Sequence, residues 1–198
     1  LGSRTETDGL IIYDDVLLIV EVKSGALDTG SPLLDFDNHQ KKLIELIENP
    51  ATQAKKFREH LIENKEVEIF DGNLRSSQVL TRLRAASFRK IFQCTVHVDN
   101  LTHLTAKARK LTSLGIHVHT SANWSISLDD LRVYAELFES PLQFLHFLEQ
   151  RELAENSKLV DLNDELDHLG LYLQKNNYAR YADELMEGKN TSRLIWDT

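Results

Sequence analysis

Two apolar runs near the start of the chain, separated by a pair of acidic residues, predict a β-hairpin. Residues 10–13 read LIIY, a short run of residue types that favour strands. Asp14 and Asp15 supply the turn, since aspartate tolerates turn conformations. Residues 16–22 then form an almost purely aliphatic run, which is typical of a strand buried on both faces. A hairpin folded about this turn places residue 8 level with residue 21.

Three charged residues lie where this hairpin brings them together. Glu21 and Lys23 are two positions apart on the second strand and therefore point to the same face, while Asp8 stands opposite Glu21. Two carboxylates and a backbone carbonyl such as that of Val22 form the hard oxygen site that Mg²⁺ prefers. A lysine beside such a site can orient water or stabilise a negative transition state. The alternative is a structural ion pair between Glu21 and Lys23.

The next part of the chain predicts a loop at residues 25–38 and two helices. Residues 39–47 carry an apolar stripe with helical spacing. Asn49 and Pro50 then favour a new helix, with Asn49 as N-cap and Pro50 in its first turn. The core face of that second helix consists of Ala54, Phe57 and Leu61. Gln53 falls at the edge of this face, where it can reach into the site or bond to the backbone as a partly buried amide.

Residues 74–90 form the most basic segment of the chain and contain no acidic residue. Its candidate contacts to a nucleic-acid backbone are Arg82, Arg84, Arg89 and Lys90. The alternative is a solvated charged face, which is the commoner role of such a run.

The remainder of the chain predicts a strand–helix–strand unit followed by helices. Residues 91–98 (IFQCTVHV) favour a strand, residues 101–114 a helix closed by Gly115, and residues 116–120 and 123–126 further strands. Such a unit extends a sheet in parallel. From Ser127, a predicted N-cap, the pattern is helical. We therefore predict an α/β core at residues 4–126 and an all-helical C-terminal region at residues 127–198.

Composition narrows the class of protein only moderately. The chain has 198 residues and a formal net charge of −8, which argues mildly against coating nucleic acid by bulk electrostatics. Cys94 is the only cysteine, so the chain has no intramolecular disulfide and no cysteine-based zinc site. This usage fits the reducing cytoplasm, which is the predicted location. The longest apolar run is far too short to span a membrane, and we expect no membrane partner.

The hairpin resembles the active-site motif of the PD-(D/E)XK nuclease superfamily. The resemblance is carried by D-x(12)-E-x-K, as Asp8, Glu21 and Lys23 stand in TDGLIIYDDVLLIVEVKSG. With NPATQAKKFREHL, which contains Gln53, the sequence is similar to the nuclease-related-domain branch. This resemblance implies a restriction-endonuclease-like core, a mixed sheet flanked by helices. It also implies Mg²⁺- or Mn²⁺-dependent hydrolysis of nucleic acid, DNA in preference to RNA.

The resemblance further implies a role for each matched residue. Asp8, Glu21 and the Val22 carbonyl would hold the metal, Lys23 would position or activate water, and Gln53 would support the site. Two other functions remain as alternatives. One is a catalytically inactive nuclease fold that binds nucleic acid. The other is a protein-interaction domain of a larger DNA-processing or defence protein, assembling or forming homo-oligomers through its C-terminal helices.

Overall fold

The fold is α/β and is built around a mixed four-stranded sheet. The computed structural model describes residues 5–27, 34–71, 78–106, 108–116, 123–157, 160–189 and 194–195. Its strands are β1 (Gly9–Tyr13), β2 (Val16–Lys23), β3 (Glu66–Phe70), β4 (Val79–Arg84), β5 (Lys90–His97), β6 (Asn123–Ser127), β7 (Val160–Asp161) and β8 (Leu194–Ile195). Its helices are α1 (Phe36–Leu43), α2 (Asn49–Asn64), α3 (Thr102–Thr105), α4 (Leu128–Leu137), α5 (Pro141–Ser157), α6 (Glu165–Gln174) and α7 (Tyr178–Lys189).

The main sheet has the strand order β1-β2-β5-β6. The predicted hairpin is confirmed, because β1 and β2 are antiparallel with Gly9 opposite Val20. At its turn Asp14 has a φ of +51°, a conformation that aspartate tolerates better than most residues. The parallel extension of the sheet is also confirmed, since β5 pairs in parallel with both β2 and β6. The predicted strand at residues 116–120 lies outside the described residues from residue 117 onward.

The prediction that β2 is buried on both faces is confirmed over residues 16–19, whose two faces pack against different helices, whereas Val22 near the end of the strand is exposed. Leu17 and Ile19 pack with residues of α2 and of the separate β3–β4 hairpin. Val16 and Leu18 share a second hydrophobic cluster with the C-terminal helices, including Phe147 of α5. The C-terminal helices therefore cover one face of the sheet, and α2 covers the other. Of the helices within the described residues, none has the length and apolar character to cross a bilayer.

The path from β2 into α2 differs from the prediction. Helix α1 begins at Phe36, capped by the side chain of Asp35, so the predicted loop at residues 25–38 is too long. The predicted break with Asn49 as N-cap is also wrong: a π-helical turn, Ile44–Glu48, runs directly into α2, and Asn49 is helical. Pro50 has no N–H for the carbonyl four residues earlier and crowds it. The wider π turn, in which the N–H of Asn49 donates to the carbonyl of Ile44, accommodates the proline.

Two further segments are less regular than predicted. The predicted helix at residues 101–114 is divided into α3 and a 3₁₀ segment, Ala108–Leu114. Gly115 follows with a φ of +74°, the left-handed conformation that suits glycine at a helix end. The C-terminal region is not all helical, because β7 pairs in parallel with β8. Ser127 is confirmed as the N-cap of α4, with its hydroxyl accepting from the Asp130 N–H at 3.0 Å.

Candidate active site

The centre of the candidate site is the carboxyl group of Glu21, near the end of β2. Its side chain is 0% exposed, and neither carboxyl oxygen has a hydrogen-bond partner among the described residues. Burial raises the pKa of Glu21 to about 7, and the charge of Asp8 adds to this rise. The Thr7 hydroxyl, the Lys23 ammonium and the backbone N–H of Asp8 lie near enough to oppose this rise, but none makes a hydrogen bond of normal geometry to the carboxyl. A buried carboxyl without such a bond is costly to the fold, so this group is poised to bind a cation.

Asp8 lies beside Glu21 because of the register of the hairpin. The pairing of Gly9 with Val20 puts residue 8 level with residue 21, as the turn position predicts. Asp8 is exposed, and its Oδ2 accepts a hydrogen bond from the backbone N–H of Val22 at 2.8 Å. The Thr7 hydroxyl donates to the carbonyl of Val20 at 3.2 Å and ties the incoming chain to β2. The two predicted carboxylates are therefore neighbours, one exposed and one buried.

Lys23 completes the predicted triad at the last position of β2. It is half-buried, and it lies on the same face of the strand as Glu21. The carboxyl oxygens of Glu21 lack hydrogen-bond partners, so Glu21 and Lys23 do not form the hydrogen-bonded ion pair that was the alternative to a metal site. The backbone carbonyl of Lys23 accepts from the N–H of Val98 at 2.9 Å, which fixes the end of β2 against β5. The ammonium remains available for a ligand or for a neighbouring side chain.

Gln53 lies on the side of the sheet to which Glu21 and Lys23 point. Helix α2 packs on the Leu17 and Ile19 face of β2, and Gln53 is half-buried one turn before Phe57 of that core. The preceding π turn reaches the end of β2, since a Cβ on Gly25 would lie 2.9 Å from the Leu46 side chain. The start of α2 therefore faces the polar end of the strand. Gln53 makes no hydrogen bond with the unpartnered Glu21 carboxyl.

A row of polar side chains continues from this site across the sheet, and the sequence interpretation missed it. On β5 and β6 the buried members are Gln93, Thr95, His97, Ser125 and Ser127, and Asn123 at the start of β6 is half-buried. They share one face because Thr95 pairs with Glu21 and His97 with Lys23 in the parallel register. The signal was present in IFQCTVHV, where polar residues occupy every second position. Such alternation indicates that one face of β5 is polar even though the strand is buried.

The four predicted nucleic-acid contacts are all engaged in ion pairs. Their partners are Glu68 for Arg82, Glu66 for Arg84, Asp15 and Glu149 for Arg89, and Glu152 for Lys90. The pairs of the three arginines are largely exposed. Exposed pairs of this kind are weak because solvent screens the two charges, so a phosphate could compete for these cations. Contact with nucleic acid by these residues therefore stays a prediction.

The position of these cations separates them from the carboxylates. Lys90 pairs with Val16 at the start of β2, five residues before Glu21. At about 3.3 Å per residue, this places Lys90 roughly 17 Å from Glu21 along the strand. Arg89 precedes Lys90 and lies at the same end of the sheet, while Arg82 and Arg84 belong to the β3–β4 hairpin. The structure does not bring Arg89 and Lys90 together with the predicted catalytic residues.

The donor set fits a hard divalent cation with few protein ligands. Within the described parts of the chain, no three His, Cys, Asp or Glu side chains are grouped so as to hold a metal. Asp8, the unpartnered Glu21 and the carbonyl of the 46% exposed Val22 are the available oxygens. Mg²⁺ commonly binds through one or two carboxylates and keeps several waters, so this set is compatible with Mg²⁺ or Mn²⁺ and unsuited to zinc.

Comparison of the chain with protein-family models, with curated proteins and with solved structures finds no match. The function of the site is therefore argued from its residues and their geometry.

The raised pKa of Glu21 predicts that stability falls as pH increases. The pKa is about 7 in the folded chain against 4.5 for the unperturbed group, so between these values the unfolded state binds fewer protons. Stability is then fully present below about pH 4.5 and is lost as the pH rises through about 7, by up to about 3 kcal/mol. Glu21→Gln removes this loss. In denaturant unfolding without divalent ions, the variant should exceed the parent in stability at pH 8 and equal it at pH 4.5.

A matched control for this measurement is Glu63→Gln on the exposed face of α2, which should track the parent at both pH values. A Glu21→Gln variant that is no more stable than the parent at pH 8 would show that the Glu21 carboxyl already has a partner in solution.

Proposed function

We propose that this protein is a metal-dependent nuclease that hydrolyses phosphodiester bonds in DNA, with a restriction-endonuclease-like core. One observation carries the proposal: a buried carboxyl without a partner, Glu21, lies level with a second carboxylate, Asp8, and beside Lys23. The resemblance of these three residues to the PD-(D/E)XK motif supports the same proposed function. The mixed sheet with helices on both faces is compatible with such a core.

Each residue of the candidate site has its own role in the proposed mechanism. Asp8, Glu21 and the Val22 carbonyl would hold Mg²⁺ or Mn²⁺, which when bound lowers the pKa of a coordinated water and offsets charge on a phosphate. Lys23 would orient the attacking water and stabilise negative charge on the phosphate oxygens through its ammonium. Gln53, at the start of α2, would hold the water or a phosphate oxygen through its amide. Asp8 and Val22 are exposed, so a substrate strand can reach the site from that side.

Binding of DNA would depend on local contacts more than on the field of the whole molecule. The net charge of −8 repels a polyanion at long range, and the candidate cations of the β3–β4 hairpin are paired with glutamates. A divalent ion at Asp8 and Glu21 would reduce this repulsion where the phosphate must approach. We therefore expect DNA affinity to increase with Mg²⁺ and to be weak in its absence.

The experiment that tests the proposal is calorimetric titration of Mg²⁺ and Mn²⁺ into this chain and into its Glu21→Gln variant. Binding should be present in the parent and lost in the variant, because a neutral amide is a poor ligand for a hard cation. Glu63→Gln is the matched control and should bind as the parent does. Binding unchanged in Glu21→Gln would place the metal elsewhere. No binding in the parent, even with a non-cleavable DNA duplex present, would remove the metal from the proposal.

The same titrations distinguish the inactive binding module from the enzyme. If DNA binds with a strong dependence on salt while no metal binds and no cleavage occurs, the chain is a nucleic-acid-binding module on a nuclease fold. This alternative is favoured by one observation: within the described residues, no three His, Cys, Asp or Glu side chains are grouped so as to hold a metal.

A further inference from the structure

His97 is a buried imidazole next to Lys23 that the proposed mechanism does not use. It is the last residue of β5 and is 0% exposed. In the parallel register its Cα partner on β2 is Lys23, so both side chains leave the same face of the sheet. The N–H of Val98, the next residue, bonds to the carbonyl of Lys23 at 2.9 Å and fixes the two strand ends together.

One nitrogen of this imidazole is bonded and the other is not. The Nε2 atom lies 2.7 Å from the hydroxyl oxygen of Ser125 on β6, whereas Nδ1 is buried and has no hydrogen-bond partner among the described residues. Two other histidines provide a comparison: Nδ1 of His146 lies 2.9 Å from the Tyr172 hydroxyl, and Nδ1 of His168 lies 3.1 Å from the Tyr178 hydroxyl. Buried polar nitrogens are normally hydrogen-bonded, so the unpartnered Nδ1 of His97 is available for one further hydrogen bond.

The surroundings keep this imidazole neutral. Burial lowers the pKa of His97 to about 4, and the Lys23 ammonium lowers it further than Asp99 raises it. A neutral imidazole has one N–H donor and one acceptor nitrogen, while a lysine ammonium can only donate. A bond between the two therefore requires that Nδ1 accept from the ammonium. Nε2 must then carry the proton and donate it to Ser125, as its short contact allows.

We propose that His97 is a positioning residue for Lys23: its Nδ1 accepts a hydrogen bond from the Lys23 ammonium, and Ser125 fixes the ring through Nε2. Three adjacent strands then contribute to one line of side chains, from Ser125 on β6 through His97 on β5 to Lys23 on β2. The consequence for catalysis rests on the proposed nuclease function. The hydrogen-bonded line itself does not, and it can be tested without activity.

The line restricts where the ammonium can lie. A lysine side chain has four rotatable bonds, and fixing it has an entropic cost that a fixed acceptor at one side can offset. With Nδ1 on one side and Glu21 on the other, the ammonium is held at the polar end of β2. A displacement of about 1 Å in such a group can lower a rate by about a hundredfold. His97 thus acts through Lys23 and contacts neither metal nor substrate.

The first test is the ¹⁵N NMR spectrum of the histidine rings in the parent and in Lys23→Met, recorded without metal or DNA. We expect His97 to be the Nε2–H tautomer, with its unprotonated Nδ1 resonance at a hydrogen-bonded position. In Lys23→Met that resonance should move to the position of a free acceptor, while the ring resonances of His168, a buried control, stay unchanged. The proposal would be overturned if His97 were the Nδ1–H tautomer, or if the chemical shift of its Nδ1 were the same in the parent and in Lys23→Met.

The second test compares two conservative variants in DNA cleavage. In His97→Asn the amide oxygen lies near the place of Nδ1, whereas in His97→Gln the amide reaches the place of Nε2 and leaves the Nδ1 side without an acceptor. His97→Gln should lose about ten- to a hundredfold in kcat with KM unchanged, and His97→Asn should lose less. His168→Gln is the control for loss of a buried imidazole and should keep kcat. Equal losses in the two His97 variants would indicate a purely structural role.

The two tests separate this inference from the proposed function. If the parent chain cleaves no DNA, the nuclease proposal fails, yet the ring spectra still decide whether His97 holds Lys23. If cleavage occurs and the spectra show no coupling between His97 and Lys23, the nuclease proposal stands and this inference is wrong.

Discussion

Replacing Lys23 with methionine, or Glu21 with glutamine, is expected to abolish Mg²⁺-dependent cleavage of DNA while leaving the chain folded. In the proposed mechanism, loss of the Glu21 carboxylate would remove a ligand from a site with few protein ligands, and loss of the Lys23 ammonium would remove the group that orients water and offsets charge. Each effect should reach at least roughly 10²- to 10³-fold in kcat. The measurement is cleavage of duplex and single-stranded DNA with Mg²⁺, beside a circular dichroism spectrum of each variant.

The fold is expected to survive because neither side chain supports it. Lys23 is half-buried at the end of β2, outside the hydrophobic clusters on both faces of the sheet. The Glu21 carboxyl has no hydrogen bond to lose, so a neutral amide of the same shape relieves the cost of burying a charge. Lys23→Met keeps an unbranched aliphatic side chain at the position that pairs with His97 in the sheet. A loss of activity can therefore be assigned to chemistry and not to unfolding.

Matched controls are available on exposed helical surfaces. Lys41→Met on α1 and Glu63→Gln on α2 make the same chemical changes at exposed positions and should retain full activity. Undiminished cleavage in both Lys23→Met and Glu21→Gln would contradict the proposed nuclease site. A parent chain that binds DNA but never cleaves it would instead favour the binding-module alternative.

The hairpin could be predicted from the sequence because local rules determine it. A two-residue turn sets the pairing of every later residue, so the position of Asp14 and Asp15 is enough to place Asp8 opposite Glu21. The aliphatic pattern of β2 likewise predicts burial on both faces, and α2 and the C-terminal helices provide it. What local rules could not show is that the Glu21 carboxyl would be left without a partner.

Where the structure departs from the sequence interpretation, the cause is a partner far away in the chain. In the basic segment, Arg82, Arg84 and Arg89 pair with glutamates and an aspartate from β3, the hairpin turn and α5, while their contact with nucleic acid stays a prediction. The Asn49–Pro50 pair reads as a helix boundary, yet packing of Leu46 and Ile47 in a core cluster keeps the chain helical through a π turn. His97 was overlooked because its significance comes from its alignment with Lys23, which requires the order of the strands.

The largest expected loss of stability comes from Arg151, at the centre of a buried ion-pair network beneath the sheet. Its guanidinium donates to both carboxyl oxygens of Glu165, at 2.7 Å for the shortest bond, and to Glu155 at 2.9 Å. Glu165 also accepts from the indole N–H of Trp124 at 2.9 Å. The network thus joins α5 and α6 to β6. Arg151→Met leaves a buried carboxylate without its cation and should cost about 3–5 kcal/mol of unfolding free energy.

Two comparisons make this prediction specific to burial. Arg180→Met removes an exposed i,i+4 pair with Glu184 and should change stability by no more than about 0.5 kcal/mol in urea unfolding at pH 7. The double variant Arg151→Met with Glu165→Gln should regain part of the loss, because it removes the buried charge while keeping an acceptor for Trp124. A single Arg151→Met variant that loses less than about 1 kcal/mol would mean that water reaches Glu165 in solution. Because the same layer of helices supports the back of β5 and β6, such a loose network would also weaken the support of His97.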